Sequence, residues 1–249
     1  MSGDGPCYGG IMTITAEKSS LPTPDGEMEI FLARPNGTPL GGVIVVQEAF
    51  GLTNHIREVC EAVAAAGFIA IAPAMFHRSE DQIFGYDEYE KLGPVIMSMT
   101  LEGINTDIDV AIAALEENGC SLSSIGIVGF CMGGSIALQT AARRKIGAAI
   151  TFYGGGIAKG RFGLEGGLVY APALQTPWLG FYGDLDAAIP VDEVEQLRIA
   201  AASSPVDTLV IRYLDADHGF HRREGHSFNA EASADAWERA IDFFTEQLA

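Results

Sequence analysis

At 249 residues the chain can hold one α/β domain or two small ones, and 48% hydrophobic against 19% charged residues excludes the disordered class. Lys and Arg number 15 against 33 Asp and Glu, and the net charge of −18 argues against binding a nucleic-acid backbone or docking on an anionic membrane. The cysteines, Cys7, Cys60, Cys120 and Cys131, lie far apart with no Cys-x-x-Cys, so neither a zinc site nor a redox pair is expected and a reducing cytoplasm fits.

The opening Met1-Ser-Gly-Asp-Gly-Pro-Cys-Tyr8 has neither a basic n-region nor an apolar h-region, so no secretory signal is expected. The apolar stretch over residues 62–76 is too short to span a bilayer and contains Gly67 and Pro73. Residues 12–33 alternate polar and apolar around Thr23-Pro-Asp-Gly26, which predicts an edge hairpin. Gly42-Val-Ile-Val-Val-Gln47 is short, apolar and β-branched, the pattern of a strand buried on both faces of a parallel sheet. A helix over 54–66 follows, with Ile56, Val59, Cys60 and Val63 on one face, so Cys60 is expected in the core.

Residues 68–73 predict the next buried strand, and Ala74-Met-Phe-His-Arg78 the loop leaving its carboxyl end. Residues 85–100 are ambiguous; 101–118 regain helical spacing, with Gly119 as the stop. Strands over 125–130, 148–153, 178–182 and 208–213 then alternate with helices over 135–143, 191–202 and 230–247. Residues 154–173 are rich in glycine and long for a connection, so they are either a lid over a site or an excursion. The alternation predicts an α/β fold over residues 1–249 as a single domain, a mostly parallel twisted sheet with helices on both faces. Ligands of such sheets sit outside the carboxyl ends of the strands, where Glu48, Arg78, Cys131, Asp186 and His218 fall.

Gly129-Phe-Cys-Met-Gly133 has the spacing of a nucleophile elbow, in which a tight strand-to-helix turn points its central side chain away from the sheet. An inert buried cysteine in a Gly-rich turn explains the pentapeptide about as well. A phosphate loop is a poorer fit, because no lysine precedes Ser135. A thiol nucleophile needs a base and a group to orient that base. Gly183-Asp-Leu-Asp186 leaves a strand end, with Asp186 favoured over Asp184 as the acid; either could be only a turn residue. His218, after the last strand, is the candidate base, while His221 and His226 share its loop and could be surface residues. The backbone amides of Met132, after the nucleophile, and Ala49, after the 42–47 strand, are positioned to form an oxyanion hole.

Four segments together, Gln47-Glu-Ala-Phe-Gly51, Gly129-Phe-Cys-Met-Gly-Gly134, Gly183-Asp-Leu-Asp186 with Ile189-Pro190, and Asp217-His-Gly-Phe220, make the chain from about Gly42 to the final helix resemble the dienelactone hydrolase family of the α/β-hydrolase superfamily. The resemblance implies a Cys131, Asp186 and His218 triad, an oxyanion hole at Ala49 and Met132, and a Glu48 that contacts the resting thiol and helps to ionise it when substrate arrives. It further implies that Arg78 and Arg222 hold the carboxylate of a lactone substrate, with opening of a dienelactone to maleylacetate as the reference reaction. No metal or organic cofactor is required. Segment 154–170 is longer than in the best-known lactone-cleaving members, and the pocket aromatics expected after Arg78 are only loosely matched by Phe84, Tyr86 and Tyr89. The expectation is a cytoplasmic carboxylic ester hydrolase acting on a small-molecule lactone or ester; the alternatives are a non-catalytic binding member of the fold and a thiol-redox protein using Cys131.

Overall fold

The structure, a computed structural model, describes residues 13–249; Cys7 and Met12, the latter the expected start of the first hairpin, lie outside the described residues. Strands β1 (Ile14–Thr23) and β2 (Gly26–Pro35) pair antiparallel around a turn in which Gly26 adopts φ +120°, a conformation that favours glycine. There follow β3 (Gly42–Val46), α1 (Asn54–Ala65), β4 (Ile69–Pro73), α2 (Tyr89–Ser98), α3 (Leu101–Glu117), β5 (Ile125–Phe130), α4 (Met132–Arg143) and β6 (Ala148–Phe152). The chain ends with α5 (Gly167–Tyr170), β7 (Trp178–Gly183), α6 (Val191–Ala201), β8 (Thr208–Tyr213) and α7 (Ala230–Leu248). The ambiguous stretch is therefore resolved as α2, a helix carrying Pro94 in its interior. Helix α4 begins at Met132, earlier than the periodicity indicates, because the glycines that blur its pattern are part of its first turn.

The strands form one sheet in the order β1-β2-β4-β3-β5-β6-β7-β8, antiparallel at β1-β2-β4 and parallel from β4 onward. Every residue of β3, β4, β5, β6 and β7 is buried, as the continuous apolar runs require of strands covered on both faces. The places where β5 and β3 lack side chains identify the layers. A Cβ at Gly126 would strike Phe244 of α7, whereas one at Gly42 would strike Leu115 of α3 and one at Gly129 the backbone of α4. Helices α1 and α7 thus cover one face, and α3, α4 and α6 the other. Two long helices are closed by side-chain caps, Thr100 accepting from the Gly103 amide and Asn229 from the Ala232 amide. No helix among the described residues is long and apolar enough to cross a membrane.

From β3 the chain moves outward to β4, then crosses back to β5 on the other side of β3. The carboxyl ends of β3 and β5 therefore diverge at a topological switch point, where open α/β sheets leave a crevice. The two ends meet backbone to backbone: a Cβ at Gly133 would lie 2.3 Å from the Val46 carbonyl oxygen and 2.6 Å from that of Gln47. Gly133→Ala should accordingly lower stability by at least about 2 kcal/mol, since rigid main chain must move to admit the methyl group. Urea unfolding of the variant measures this directly, and an unchanged midpoint would show that the approach is not constraining.

Candidate active site

The turn from β5 into α4 places Cys131 in a conformation that a side-chain-bearing residue rarely adopts, φ 54° and ψ −113°. Gly129 makes the turn sterically feasible, because a Cβ there would fall 1.9 Å from the Gly133 carbonyl oxygen. The Cys131 amide donates to the Phe152 carbonyl at 3.0 Å, and its carbonyl accepts from the Gly134 amide at 3.0 Å. The strained turn is thus held by β6 on one side and α4 on the other, and the thiol remains partly exposed at the helix N-terminus.

His218 Nδ1 lies 2.6 Å from Asp186 Oδ2, which leaves Nε2 as the nitrogen for the thiol. Asp186 is almost fully buried and its other oxygen accepts from the Ala188 and Ile189 amides at 2.9 and 3.2 Å. The carboxylate is thereby fixed before it orients the imidazole. Burial pulls the His218 pKa down, but interaction with Cys131 and with Asp186 prevails and pushes it up to about 11. The rival acid is committed elsewhere: Asp184 forms a bidentate pair with Arg212 at 2.7 Å to each oxygen. His221 is likewise no candidate base. It stacks on Phe130 and Trp237, its Nδ1 is 2.9 Å from the Ser233 hydroxyl, and burial pulls its pKa down to about 4. His226 is exposed.

Glu48, buried just past β3, is held by Arg222 Nη1 at 3.4 and 3.3 Å to its two oxygens. Burial raises its pKa, while Arg222, His218 and the nearby Tyr153 hydroxyl pull it back. The guanidinium of Arg222 also donates through Nε to the Glu224 carbonyl at 2.7 Å and lies 4.2 Å from the centre of the Tyr86 ring. Tyr153 follows β6 at φ 40° and is fully buried, with its ring edge-on to His218 at 5.2 Å. Its hydroxyl, close to Glu48 and Cys131, makes no hydrogen bond within 3.5 Å. Among the described residues the amides of Ala49 and Met132 donate to no backbone or side-chain partner outside the helices and strands, and the first amides of a helix have no intrahelical acceptor.

These groups line one cavity of about 460 Å³, with Glu48, Ala49, Cys131, His218 and Arg222 on one side and Phe50, Leu92, Ile96, Phe162 and Ile189 as apolar walls. The glycine-rich segment contributes Gly155, Arg161 and Phe162 to this cavity, and it packs through buried Ile157, Phe162 and Leu164. Among the described residues no group of three or more His, Cys, Asp or Glu side chains could hold a metal ion.

Arg78 is not in this cavity. Both its terminal nitrogens donate to Asp107, at 2.7 and 2.8 Å, and its Nε to Asp25 at 2.8 Å. The expectation that Arg78 holds substrate is corrected by Asp107, a fully buried carboxylate on α3 that takes a guanidinium and the His77 imidazole as compensation. Of the aromatics expected near it, Phe84 is core, Tyr86 lies against Arg222, and the side chain of Tyr89 lies outside the described residues. Sequence reasoning missed Tyr153, Arg161 and Phe162. Tyr153 could have been found as the residue leaving the carboxyl end of β6; for the other two the only signal was the length of their loop.

The pattern of the dienelactone hydrolase family matches residues 28–248. The chain belongs to the dienelactone hydrolase family. A relative in Synechocystis, provisionally described as a carboxymethylenebutenolidase, is 34% identical over 95% of this chain and the whole of its own length. One from Escherichia coli K12, with the same provisional description, is 32% identical over 94% of this chain and 88% of its own. The crystal structure of a provisionally named dienelactone hydrolase from Klebsiella pneumoniae superposes with a TM-score of 0.88 at 32% identity, covering 94% of this chain and 99% of that one. The α/β-hydrolase fold and a hydrolase of the ester or lactone type follow from family membership.

The family resemblance implies that Glu48 contacts the resting thiol, but its carboxylate is held by Arg222 instead. A buried carboxylate costs several kcal/mol unless paired, and the guanidinium is the nearest charge that can pair it.

The His218 pKa carries a stability consequence with a definite sign. It is raised in the fold above an unfolded value of about 6.5, so the stabilisation is complete below that pH and is lost as the pH climbs towards the folded value of about 11. The stability deficit of Asp186→Asn should therefore be largest near pH 6 and shrink steadily in alkali. Urea unfolding of both proteins across that range tests this; a deficit that grows with pH would contradict it.

Proposed function

We propose that this protein is a cysteine-dependent carboxylic ester hydrolase that opens lactones or cleaves esters through an acyl-enzyme on Cys131, with the carboxymethylenebutenolidase reaction as the reference case. The single observation that carries the reading is the run from a strained, partly exposed Cys131 through His218 to a buried Asp186 whose other oxygen is already satisfied. Family membership supports the class of reaction.

In this reading His218 Nε2 takes the thiol proton and Cys131 Sγ attacks the carbonyl carbon, while the developing oxyanion is received by the Ala49 and Met132 amides. The tetrahedral adduct collapses by breaking the C–O bond, and the departing alkoxide takes the proton from His218; in a lactone it remains tethered to the acyl group. Water then loses a proton to His218 and attacks the thioester, and that proton returns to the thiolate as the acid is released. Asp186 fixes the imidazole tautomer and stabilises the imidazolium. Glu48 can act on the thiol once its loose pairing with Arg222 is broken. The setting proposed with this chemistry is the cytoplasm, with a free small molecule as the only partner.

Cys131→Ala and His218→Ala should each lose at least about a hundredfold in kcat/KM on an aryl ester, the usual cost of removing a covalent or proton-transfer partner. Intact-mass spectra of the wild-type protein quenched during turnover should carry the acyl adduct on Cys131. Undiminished hydrolysis by both variants would overturn the reading.

A further inference from the structure

We infer that Arg161, on the glycine-rich segment, is the residue that recognises an anionic group on the substrate, and that the substrate is a carboxylate with an apolar body. This deepens the hydrolase reading and rests on it. Arg222 is already paired with Glu48, and His218 with Asp186, so neither cation is unopposed. Arg78, the other guanidinium the sequence offers for this task, is committed to Asp107 and Asp25. Arg161 lines the cavity and, among the described residues, has neither a carboxylate within ion-pair distance nor any side-chain hydrogen bond. Among the described residues Arg161 is thus the cavity cation with no charged partner, an exposed guanidinium in a chain of net charge −18. At long range such a protein repels anions, so an anion can be selected only by a local group of this kind.

The segment fixes the backbone that carries Arg161, whose side chain is itself exposed at the cavity. Phe162 and Gly163 take φ 59° and 75° in succession, and Leu164 closes the turn by donating its amide to the Arg161 carbonyl at 2.9 Å. A Cβ at Gly163 would meet the Met99 carbonyl oxygen at 2.7 Å, so the turn is wedged against the junction of α2 and α3. Phe162 tolerates its left-handed backbone because its ring is buried, and the Arg161 guanidinium lies 5.0 Å from that ring's centre. On the cavity side, the absent side chain of Gly155 leaves open the gap between Arg161 Nη1 and Ile189 Cδ1, each 3.9 Å from where a Cβ would sit. A planar fork beside an open gap suits bidentate binding of a carboxylate. The apolar walls at Phe50, Leu92, Ile96 and Phe162 suit the hydrocarbon that carries it.

Alkylation of Cys131 by iodoacetamide, followed by mass mapping of the Cys131 peptide, tests the inference without requiring turnover. Phenylacetate should protect the thiol of the wild-type protein better than phenylacetamide. In Arg161→Ala the concentration of phenylacetate giving half-protection should rise at least about tenfold more than that of phenylacetamide, and Arg161→Lys should recover part of the loss. Equal protection by the two ligands in the wild-type protein, or an equal change for both in the variant, would overturn the assignment. The matching kinetic comparison uses 4-nitrophenyl hydrogen glutarate and its methyl ester, with the Arg161→Ala loss expected in KM for the acid. If neither ester is hydrolysed while the alkylation pattern holds, the hydrolase reading fails and Arg161 as an anion site stands. Hydrolysis of both with no charge-dependent protection upholds the hydrolase and overturns Arg161 as its anion site.

Discussion

The contact on which the site depends is a main-chain one. Gly133 presses against the carbonyls of Val46 and Gln47 while Gly129 presses against Gly133, so β3, β5 and the first turn of α4 interlock with no side chain between them. This packing forces Cys131 into its left-handed conformation and fixes two amides with no internal acceptor, at Met132 and Ala49, on the strand ends that meet there. A residue at such a φ costs of order 1–3 kcal/mol, and only an over-determined surrounding holds it. Here the surrounding is the sheet itself, through the bonds of Cys131 to Phe152 and Gly134.

Around that turn, buried carboxylates are compensated in different ways, and the difference separates scaffold from chemistry. Asp107 is tied by a bidentate guanidinium and an imidazole, and nothing in that cluster is left to react. Asp186 is half satisfied by backbone amides and spends its second oxygen on an imidazole that also interacts with Cys131. Glu48 is held more loosely, by one guanidinium nitrogen at 3.3 to 3.4 Å, beside a tyrosine hydroxyl with no hydrogen-bond partner. Loose pairing of a buried charge is costly in stability. It is also what allows the charge to be reassigned when a ligand enters.

The sheet was legible in the sequence because each central strand is a short apolar run, and strand ends place functional residues whatever the loops do. That is why Cys131, Asp186, His218 and Glu48 could be drawn to one site before any contact was known, whereas Arg222 was reached only through the family resemblance. Arg78 failed for a reason local reading cannot reach. It does leave a strand end, but Asp107, on the far side of an ambiguous stretch, claims it. The ambiguity of α2 has a local cause, Gly93-Pro94 inside a helix whose tertiary contacts override propensity. Phe162 was unreadable because its left-handed backbone is sustained by burial and not by any turn signature.

The same asymmetry explains where variation in specificity can accumulate on this fold. Residues at the strand ends are constrained by the sheet, and moving one of them disturbs the interlock around Gly129 and Gly133. The glycine-rich segment is fastened instead by its own apolar side chains, Ile157, Phe162 and Leu164, and by the Ser135 hydroxyl donating to the Gly155 carbonyl at 2.8 Å. Its first residues, Gly154 and Gly155, pack against the start of α4, while what it presents to the cavity, a guanidinium and a ring, comes from Arg161 and Phe162 further along the loop. In the proposed reading the chemistry is anchored in the sheet and the selectivity in a loop that carries its own small core.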